Sequence, residues 1–414
     1  SQVEPATCCP MTMTYAAVPA LAAEPLLEAY WRPRLTAASY DPASRPVAEK
    51  RAATMGMAMT EKQGGSDLRT NATRAEPADG AWRLTGHKWF CSAPMSDGFL
   101  TLAQARGGLT CFLVPRLRPD GSLNAVHLMR LKDKLGNRAN ASAEIEYHGA
   151  FAERVGEEGR GIATILDMVH HTRLDTALAP AGLMRAALTE AWHWAAHRTA
   201  FQRRLIDQPL MARVLADLAL DLEGALALGF RVARAFDGEG EDERAFARLA
   251  VALAKYHANK LAPRVIAEAM EVMGGMGYVE DTALPMLYRE APLNGIWEGS
   301  GNVICLDILR TLAKVPAAAE ALAAELAGSK GASKAYDAAL ASHRDRWARP
   351  SGEAEARAFA EDTALLLAAA CLHRTAPPEI AEAFATTRLA PRRLTPGALE
   401  ALDESPILAR LAPG

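Results

Sequence analysis

The sequence predicts a mostly helical protein with a central antiparallel β domain. Residues 1–54 have helical patterns broken by prolines, residues 55–150 change to a period of two, and helical periodicity returns from Gly161 onward. The chain has 414 residues and half of them are hydrophobic, so it is long enough for two or three domains with sizeable cores.

The β domain is predicted from strict alternation of hydrophobic and polar residues. Residues 99–103 and 110–115 read as more fully buried strands, and glycine-containing turns separate the candidate strands. We therefore expect residues 55–150 to form a small antiparallel β domain. The positions that alternate with polar neighbours are Trp82, Leu84, Gly86, Ala143, Ile145 and Tyr147.

A helical bundle is predicted for residues 151–314. Residues 245–273 supply one long helix, which Gly274 and Gly275 end, and residues 291–312 supply the last. Long helices with short connections favour an antiparallel four-helix bundle. Another of its helices is marked by an unbroken i,i+4 row of Leu210, Val214, Leu218, Leu222, Leu226 and Phe230.

Both ends of the chain are also predicted to be helical. The chain starts with Ser1, and the helix predicted for residues 12–21 has no evident partner in its own segment. We therefore expect residues 1–54 to be the remnant of an N-terminal helical domain in a fragment or processed chain. Residues 315–414 are predicted to form a separate alanine-rich extension, with helices over residues 332–347 and 353–373.

Composition excludes several classes of protein. The formal net charge of -3 gives no overall attraction to nucleic acid or anionic membranes. The six cysteines have no CxxC spacing, which favours a reducing cytoplasm. The apolar run over residues 364–372 is too short to span a bilayer, so no membrane partner is expected. The histidines, including His170 and His171, lack metal-ligand spacing, and no metal is predicted.

The strongest candidate site is the segment IWEGSGNVICL over residues 296–306. It places one carboxylate, Glu298, between Trp297 and the small residues Gly299, Ser300 and Gly301. Small residues allow close approach of a planar ligand. A carboxylate in apolar surroundings beside a helix N-terminus is a candidate base, because desolvation raises its pKa while the helix dipole opposes that rise. An acid that stabilises its own helix explains the same pattern.

Two segments of the β domain are candidate ligand contacts. In MTEKQGGSD, residues 59–67, a turn with two glycines directs backbone N–H groups toward one point, although an ordinary loop with an Asx turn at Asp67 fits as well. In HKWFCS, residues 87–92, an aromatic pair suits stacking on a flat cofactor, although strand aromatics more often belong to a core.

Two segments of the helical part are weaker candidates. RTAF, residues 198–201, lies in a basic helical segment that could hold a pyrophosphate or form a solvated helix face. GGMGY, residues 274–278, follows a helix and not a strand, so it is a helix cap and turn and not a dinucleotide-binding loop.

The order of these motifs resembles the acyl-CoA dehydrogenase superfamily. MTEKQGGSD, GHKWF, KLGNR, RTAF, EVMGGMGY and IWEGSGN follow one another, and TEKQGGSD and LKDKLGNRAN resemble the AidB-like branch of alkylation-response (adaptive response) flavoproteins. The resemblance covers about residues 8–313, and more loosely the tail. It implies a helical domain that is mostly missing here, a β domain and a four-helix bundle, with FAD lying between the last two.

The resemblance also implies which residues contact FAD. Arg198 and Gly275 match positions that reach the FAD of a neighbouring subunit, so a homotetramer, or at least a dimer, is implied. The other side of the flavin ring would be covered by Trp297, Gly299, Ser300 and Asn302. The ring itself would be held by Met59, Thr60, Gly65, Ser66, Phe90, Cys91 and Ser92.

The implied reaction is α,β-dehydrogenation of a short or branched acyl-CoA or related thioester. Glu298 would take the α proton while the β hydride passes to the flavin. Family members with an alternative base carry a glutamate near the position of Thr172 and Arg173. Because this chain has Thr172, Glu298 keeps the role of base, and Arg173 and Ser66 are candidate substrate-binding residues.

Two positions depart from the family pattern. Glu271 stands where most members have a glutamine that meets the FAD pyrophosphate of a neighbour, and a carboxylate repels phosphates unless a cation intervenes. Gln202 replaces the usual glycine after Phe201. Both departures put in question the contacts that the resemblance implies on the adenine side of FAD.

The AidB-like resemblance implies an alternative partner, double-stranded DNA. Residues 315–414 hold 11 Lys and Arg against 13 Asp and Glu, a local balance of 11 − 13 = -2, which gives weak support for a phosphate-binding surface. Local basic clusters remain, at Arg344, Arg346 and Arg349 and at Arg388, Arg392 and Arg393. A flavin-binding scaffold without turnover is a third interpretation.

Overall fold

A computed structural model of the chain describes residues 1–349, 352–390 and 403–411. The chain divides into two compact units. The N-terminal unit is Glu4–Thr172, and the C-terminal unit combines Ser1–Val3 with Arg173–Gly414. The predicted fold class, mostly helical with a β domain, is confirmed. The predicted domain boundaries at residues 54, 150 and 314 stay predictions. No helix in the described part of the chain is long and apolar enough to cross a membrane.

Two helices open the N-terminal unit, α1 (Cys8–Leu21) and α2 (Pro25–Leu35). Pro25 occupies the first turn of α2, where its missing N–H leaves no hydrogen bond unmade. Met13 and Leu21 of α1 share one apolar core with Trp31 of α2 and Met55 of the first strand. The expectation that the first helix lacks a partner in its own segment is therefore wrong, because α2 packs against it.

The rest of this unit is built on a seven-stranded sheet. Its order is β1-β4-β2-β3-β7-β5, β6 pairs with β7, and β5 also pairs with β4, so the sheet closes on itself. The strands are β1 (Met55–Ala58), β2 (Arg74–Ala78), β3 (Ala81–Ser92), β4 (Gly98–Ala105), β5 (Gly108–Pro115), β6 (Val126–Leu131) and β7 (Ser142–Val155).

The sheet is predominantly antiparallel, as predicted, but β4 pairs in parallel with β1 and with β2. Only strands joined by a tight hairpin must be antiparallel. Along the chain, two strands lie between β1 and β4, and one strand lies between β2 and β4. The direction of β4 is therefore set by the closure of the sheet. Alternation along one strand carries no information about that direction.

A buried ion pair joins the loop over residues 59–67 to the sheet. Lys88 of β3 donates from Nζ to Glu61 Oε1 at 2.7 Å and to the Leu102 carbonyl at 2.7 Å, and both charged side chains are fully buried. The backbone N–H groups of Ala72 and Thr73 also donate to the Glu61 carboxylate. Burial would raise the pKa of Glu61, but the Lys88 ammonium and these donors outweigh it and lower that pKa to about 2.

The C-terminal unit is almost entirely helical. Helix α3 (Gly161–His197) enters it from the N-terminal unit and ends at a hairpin of β8 (Thr199–Ala200) and β9 (Arg203–Arg204). The remaining helices are α4 (Pro209–Asp237), α5 (Glu241–Met273), α6 (Leu284–Glu290), α7 (Gly301–Lys314), α8 (Pro316–Ala327), α9 (Lys334–Arg346), α10 (Ala356–Thr375), α11 (Pro378–Arg388) and α12 (Ser405–Ala409).

The i,i+4 row of α4 is only partly buried. Leu218 and Leu222 lie in the core, but Leu210 and Phe230 are 74% and 64% exposed. Four residues rotate an α-helix by a full turn plus about 40°. A row of six such positions therefore winds around the helix, and its ends leave the face that its centre buries.

Two predicted helical segments differ from the structure, one in full and one in its first part. The segment over residues 198–201 lies in the β8–β9 hairpin, where Phe201 and Gln202 have positive φ angles of 51° and 64°. The helix predicted for residues 291–312 begins only at Gly301. Glu298 and Gly299 before it have φ angles of 56° and 98°, and these left-handed conformations cannot continue a right-handed helix.

The described part of the predicted extension, residues 315–349, 352–390 and 403–411, is not separate from the bundle. Apolar side chains of α8, α10 and α11 belong to the same core as those of α4, α5 and α7. On α11, the buried Arg388 donates from Nε to Asp221 Oδ1 at 2.7 Å and from Nη2 to Asp217 Oδ1 at 2.6 Å. Bundle and extension therefore form one packed body. Pro378 begins α11, since proline suits a first helical turn.

Replacing Glu61 with glutamine is expected to lower the free energy of unfolding by about 3 kcal/mol at pH 7, because it leaves Lys88 buried without its counter-charge. The carboxylate stabilises the fold above its unfolded pKa of 4.5, and this contribution is lost as the pH falls through the folded value of about 2. The deficit of Glu61→Gln should therefore shrink below pH 4.5. Urea unfolding at several pH values measures it. Glu28→Gln removes the exposed Arg32 pair and should cost under about 0.5 kcal/mol.

Replacing Arg388 with methionine is expected to lower the free energy of unfolding by about 3–5 kcal/mol, because it leaves two aspartates of α4 without this cation. Arg346→Met is the matched control, since it removes a more exposed ion pair with Asp362 and should cost less than about 1 kcal/mol. Equal losses of unfolding free energy in the two variants would contradict a stabilising role of the buried Arg388 ion pairs between extension and bundle.

Candidate functional site

Glu298 lies in an irregular loop that precedes α7, and residues 294–300 are called the Glu298 loop below. A non-glycine residue in the left-handed region, as Glu298 is, costs about 1–3 kcal/mol and persists only where its surroundings hold it. Ser300 ends the loop in an extended conformation, and its carbonyl accepts the Ile304 N–H at 2.9 Å to start α7. Glu298 therefore stands at the positive end of a helix dipole.

A buried lysine of α5 holds the loop backbone. Lys255 is 1% exposed, and its Nζ donates to the carbonyl oxygens of Asn294 at 2.9 Å, Trp297 at 2.9 Å and Gly299 at 2.8 Å. These three acceptors match the three N–H donors of an ammonium group. Burial lowers the pKa of Lys255 to about 7, the Glu298 carboxylate opposes that change, and the nearby Arg173 adds to it.

An arginine of α3 holds the same loop from another helix. Arg173 Nε donates to the Glu298 carbonyl at 3.1 Å, and Nη1 donates to Asp307 Oδ2 at 2.8 Å. Arg248 of α5 donates to both Asp307 oxygens at 3.2 and 2.9 Å. Burial would raise the pKa of Asp307, but the two guanidinium groups outweigh it and lower that pKa. Arg173 is buried in this network, and its predicted contact with substrate stays a prediction.

Sequence reasoning missed Lys255, Arg248 and Asp307. The pattern around Lys255 does carry a signal. Most of the positions three, four and seven residues away along α5 are apolar and buried, so Lys255 is a charged residue within a hydrophobic stripe. These apolar neighbours are Val251, Ala252, Ala258 and Ala262. A charged residue in such a stripe is buried only with partners. The sequence does not show that those partners are backbone carbonyls of a loop about 40 residues later.

The other candidates on this loop make protein contacts of their own. Trp297 Nε1 donates to Asn294 Oδ1 at 2.7 Å, which orients the indole beside the loop. Asn302 Oδ1 accepts a hydrogen bond from Arg357 Nε of α10 at 2.8 Å. Gly299 and Ser300 are half-buried. The structure thus brings Trp297, Glu298, Gly299, Ser300 and Asn302 together at the start of α7.

The candidate residues Phe90 and Cys91 lie on opposite faces of strand β3. Phe90 is 48% exposed, whereas the Cys91 side chain is fully buried and burial raises the pKa of its thiol to about 12. Neighbouring strand residues point to opposite faces, so this alternation is expected. The interpretation of Phe90 as a core aromatic is therefore wrong. Cys91 can contact a ligand only through its backbone, and Ser92 is half-buried.

The loop over residues 59–67 contains the predicted Asx turn, and its interpretation as a cradle for a ligand stays a prediction. Asp67 Oδ1 accepts the Arg69 N–H at 3.3 Å, which is an Asx turn. The Thr60 carbonyl accepts the Trp89 N–H at 2.8 Å and so fixes the loop beside β3. A Cβ atom on Gly65 would lie 3.1 Å from Thr60 Oγ1, so a larger residue would crowd that hydroxyl. Ser66 is exposed, and Met59 and Thr60 are half-buried.

The remaining candidates lie at ends of α3 and α5. Arg198 is exposed and follows the last residue of α3, and its guanidinium lies 5.9 Å from the centre of the Trp194 ring. Within the same basic cluster Arg204 pairs with Asp207 at 2.8 and 2.9 Å. Gly274 ends α5 with a φ of 60°, as the predicted cap requires. A Cβ on Gly275 would meet nothing within 4 Å, so the fold of this chain alone does not require glycine there.

Comparisons with known proteins agree with this organisation. Residues 56–150 match the family model for the acyl-CoA dehydrogenase middle domain, and residues 159–313 match the model for the acyl-CoA dehydrogenase C-terminal domain. Residues 1–42 match the model for the adaptive response protein AidB N-terminal domain.

Individual relatives point the same way. The putative acyl-CoA dehydrogenase AidB of Escherichia coli K12 is 46% identical over 392 residues, which is 94% of this chain and 72% of the relative. Acyl-CoA dehydrogenase family member 11 of Caenorhabditis elegans is 38% identical over 319 residues, and the match spans 73% of this chain but only 51% of the relative.

A solved structure extends the likeness to the fold. Caenorhabditis elegans ACDH-11 in complex with C11-CoA has a TM-score of 0.82 at 31% identity, over 93% of this chain and 72% of that one. Members of the family are FAD flavoproteins. The chain belongs to the acyl-CoA dehydrogenase family, in its AidB-like branch, and is an oxidoreductase of the type that acts on CH–CH donors.

Proposed function

We propose that this chain is an FAD-dependent dehydrogenase that introduces an α,β double bond into a short or branched acyl thioester, with Glu298 as the base. The observation that carries the proposal is the Glu298 loop. Its backbone accepts four hydrogen bonds from buried Lys255 and Arg173, so a left-handed glutamate is held in one conformation at the N-terminus of α7. Such pre-organisation is what a proton-abstracting carboxylate requires.

The side chains of both units suit FAD. In the N-terminal unit the Phe90 ring is accessible for contact with a flat ring system, and the hydroxyls of Thr60, Ser66 and Ser92 offer polar contacts. In the C-terminal unit Trp297, Gly299, Ser300 and Asn302 lie at the start of α7, whose N-terminal N–H groups suit an anionic group. We assign these residues, with Met59, Gly65 and the Cys91 backbone, to the cofactor.

The protein contributes proton removal and positioning. FAD, when bound, supplies the acceptor for the β hydride of the substrate. Glu298 takes the α proton on a carboxylate oxygen, and the fixed loop keeps that oxygen from relaxing away from the Cα–H bond. Arg173, whose Nε and Nη1 are engaged by Glu298 and Asp307, supports the loop, and we retain it and Ser66 as candidates for substrate contact.

A homo-oligomer, most simply the tetramer that the family resemblance implies, fits the exposed apolar side chains of the C-terminal unit. Phe201 at the tip of the hairpin is 94% exposed. Exposed large apolar side chains are candidates for burial at a subunit interface. Leu210, Phe230 and Tyr278 are further exposed members of this set. Arg198 and Gly275, both exposed, are the residues we assign to the FAD of a neighbouring subunit.

The proposed base is tested by anaerobic titration of the FAD-bound protein with isovaleryl-CoA. The parent should bleach the oxidised flavin spectrum, and Glu298→Gln should do so about 10²–10⁴-fold more slowly, because an amide cannot accept the α proton. Stopped-flow absorbance measures both rates. Glu320→Gln, which changes an exposed glutamate of the extension, should react at the parent rate.

Reduction of Glu298→Gln at the parent rate, with equal FAD content, would exclude Glu298 as the base. The longer probe C11-CoA distinguishes a wrong choice of acyl chain from absence of the reaction. A parent protein that holds FAD and is bleached by neither thioester would exclude the dehydrogenase proposal and favour a scaffold.

As a second function we propose binding of double-stranded DNA by the extension, which the AidB-like resemblance implies. The ion pairs of the described arginines argue against DNA binding by the extension. Arg388 is buried in ion pairs with Asp217 and Asp221, and Arg346 pairs with Asp362. Arg392 and Arg393 lie outside the described residues. The basic clusters counted in the sequence therefore offer fewer cations to phosphate than their number suggests.

DNA binding predicts a gel shift with a short duplex at about 50 mM salt that is lost by about 200 mM, because phosphate contacts release counterions. Arg344→Ala combined with Arg349→Ala should reduce the shift, and Arg32→Ala in the N-terminal unit should not. The absence of any shift at low salt would exclude this function.

A further inference from the structure

We propose that Lys255 is the positioning residue of the base: its ammonium group gathers three carbonyl oxygens of the Glu298 loop and thereby fixes the direction in which Glu298 points. The inference deepens the proposed function and rests on it, since it takes Glu298 to be the base. Asn294 and Trp297 precede Glu298 and Gly299 follows it, so the Lys255 contacts bracket the glutamate on both sides.

The geometry suits an ammonium group better than other side chains. Nζ reaches the three oxygens at 2.8–2.9 Å, and an ammonium has three donors and no acceptor. The planar guanidinium of arginine presents its donors in a fork and suits such a convergent set less well. An apolar side chain would leave three carbonyl oxygens without this buried donor.

The contacts act on the backbone angles that matter. Lys255 anchors the Trp297 and Gly299 carbonyls, so it fixes the peptide planes that flank Glu298 and Gly299, whose φ angles are 56° and 98°. Arg173 anchors the Glu298 carbonyl as well, but it is tied to Asp307, which lies beyond the loop on α7. Lys255 thus sets the shape of the turn, and Arg173 connects that turn to the helix that follows.

The charge of Lys255 is compatible with this role. The groups that act on it are the carboxylate of Glu298 and the cations Arg173 and Lys260. Burial and the two cations favour the neutral amine, whereas Glu298 and the three carbonyl acceptors favour the ammonium form. The three-acceptor geometry requires the form with three N–H donors.

A positioning residue has a characteristic effect on the reaction. A displacement of about 1 Å of a catalytic group can reduce the rate by about 10²-fold without loss of binding. Lys255→Met keeps the length of the side chain and removes its donors. We expect flavin reduction by isovaleryl-CoA to slow about 10²-fold, while the FAD content and the thioester concentration at half-maximal rate change less than about threefold.

A second readout is independent of turnover. Hydrogen–deuterium exchange of the peptide that contains residues 294–300 should quicken at least about tenfold in Lys255→Met, because the loop opens more often. Peptides of α4 should be unchanged. Tyr336→Phe is the matched control: it removes a buried hydrogen bond to the Leu326 carbonyl in the extension and should alter neither the loop exchange nor the reduction rate.

Lys255→Arg keeps the charge and serves if Lys255→Met does not fold. It should fold, exchange faster in the loop than the parent and reduce the flavin at an intermediate rate. Unchanged loop exchange in the folded variants would overturn the proposal, whatever the activity. Reduction at the parent rate by Lys255→Met would also overturn the proposal, but it would leave the proposed function unaffected. A parent protein that no acyl thioester reduces would overturn the proposed function and, with it, this role.

Discussion

The Glu298 loop depends on hydrogen-bond donors that reach its backbone from two separate helices. Lys255 of α5 and Arg173 of α3 together donate to four carbonyl oxygens of the loop. A left-handed glutamate is costly, and a loop without these donors would lower its energy by leaving that conformation. The donors are fixed because α3, α4, α5 and α7 share one apolar core, so the packing of the bundle determines the loop.

The sequence was sufficient where the signal is local. Alternation located the strands that became β3 and β7, apolar runs located those that became β4 and β5, and a glycine pair located the end of α5. Prediction from the sequence failed where the local structure depends on distant residues. The direction of β4 and the late start of α7 each depend on partners outside their own segment. The family resemblance identified Glu298 as the candidate base, yet Lys255, which holds its loop, appeared only in the structure.

The charges of the extension also differ between sequence and structure. A count of cations treats every arginine as available, but Arg388 and Arg346 pair with aspartates, and Arg231 of the bundle pairs with both Glu243 and Glu325. Such pairing joins neighbouring helices and leaves fewer unpaired cations than the sequence suggests. Which cations face solvent is decided by tertiary packing, and composition cannot report it.

The shared core of bundle and extension has an evolutionary consequence. Helix α10 buries a long run of small apolar residues, among them Ala360, Ala364 and Ala368, in the same core as α4, α5 and α7. A chain shortened at residue 314 would turn an interior helix face into bare apolar surface. The extension could therefore not be gained or discarded as an independent module. Each gain or loss would have required matching substitutions across the faces of α4, α5 and α7 that pack against it.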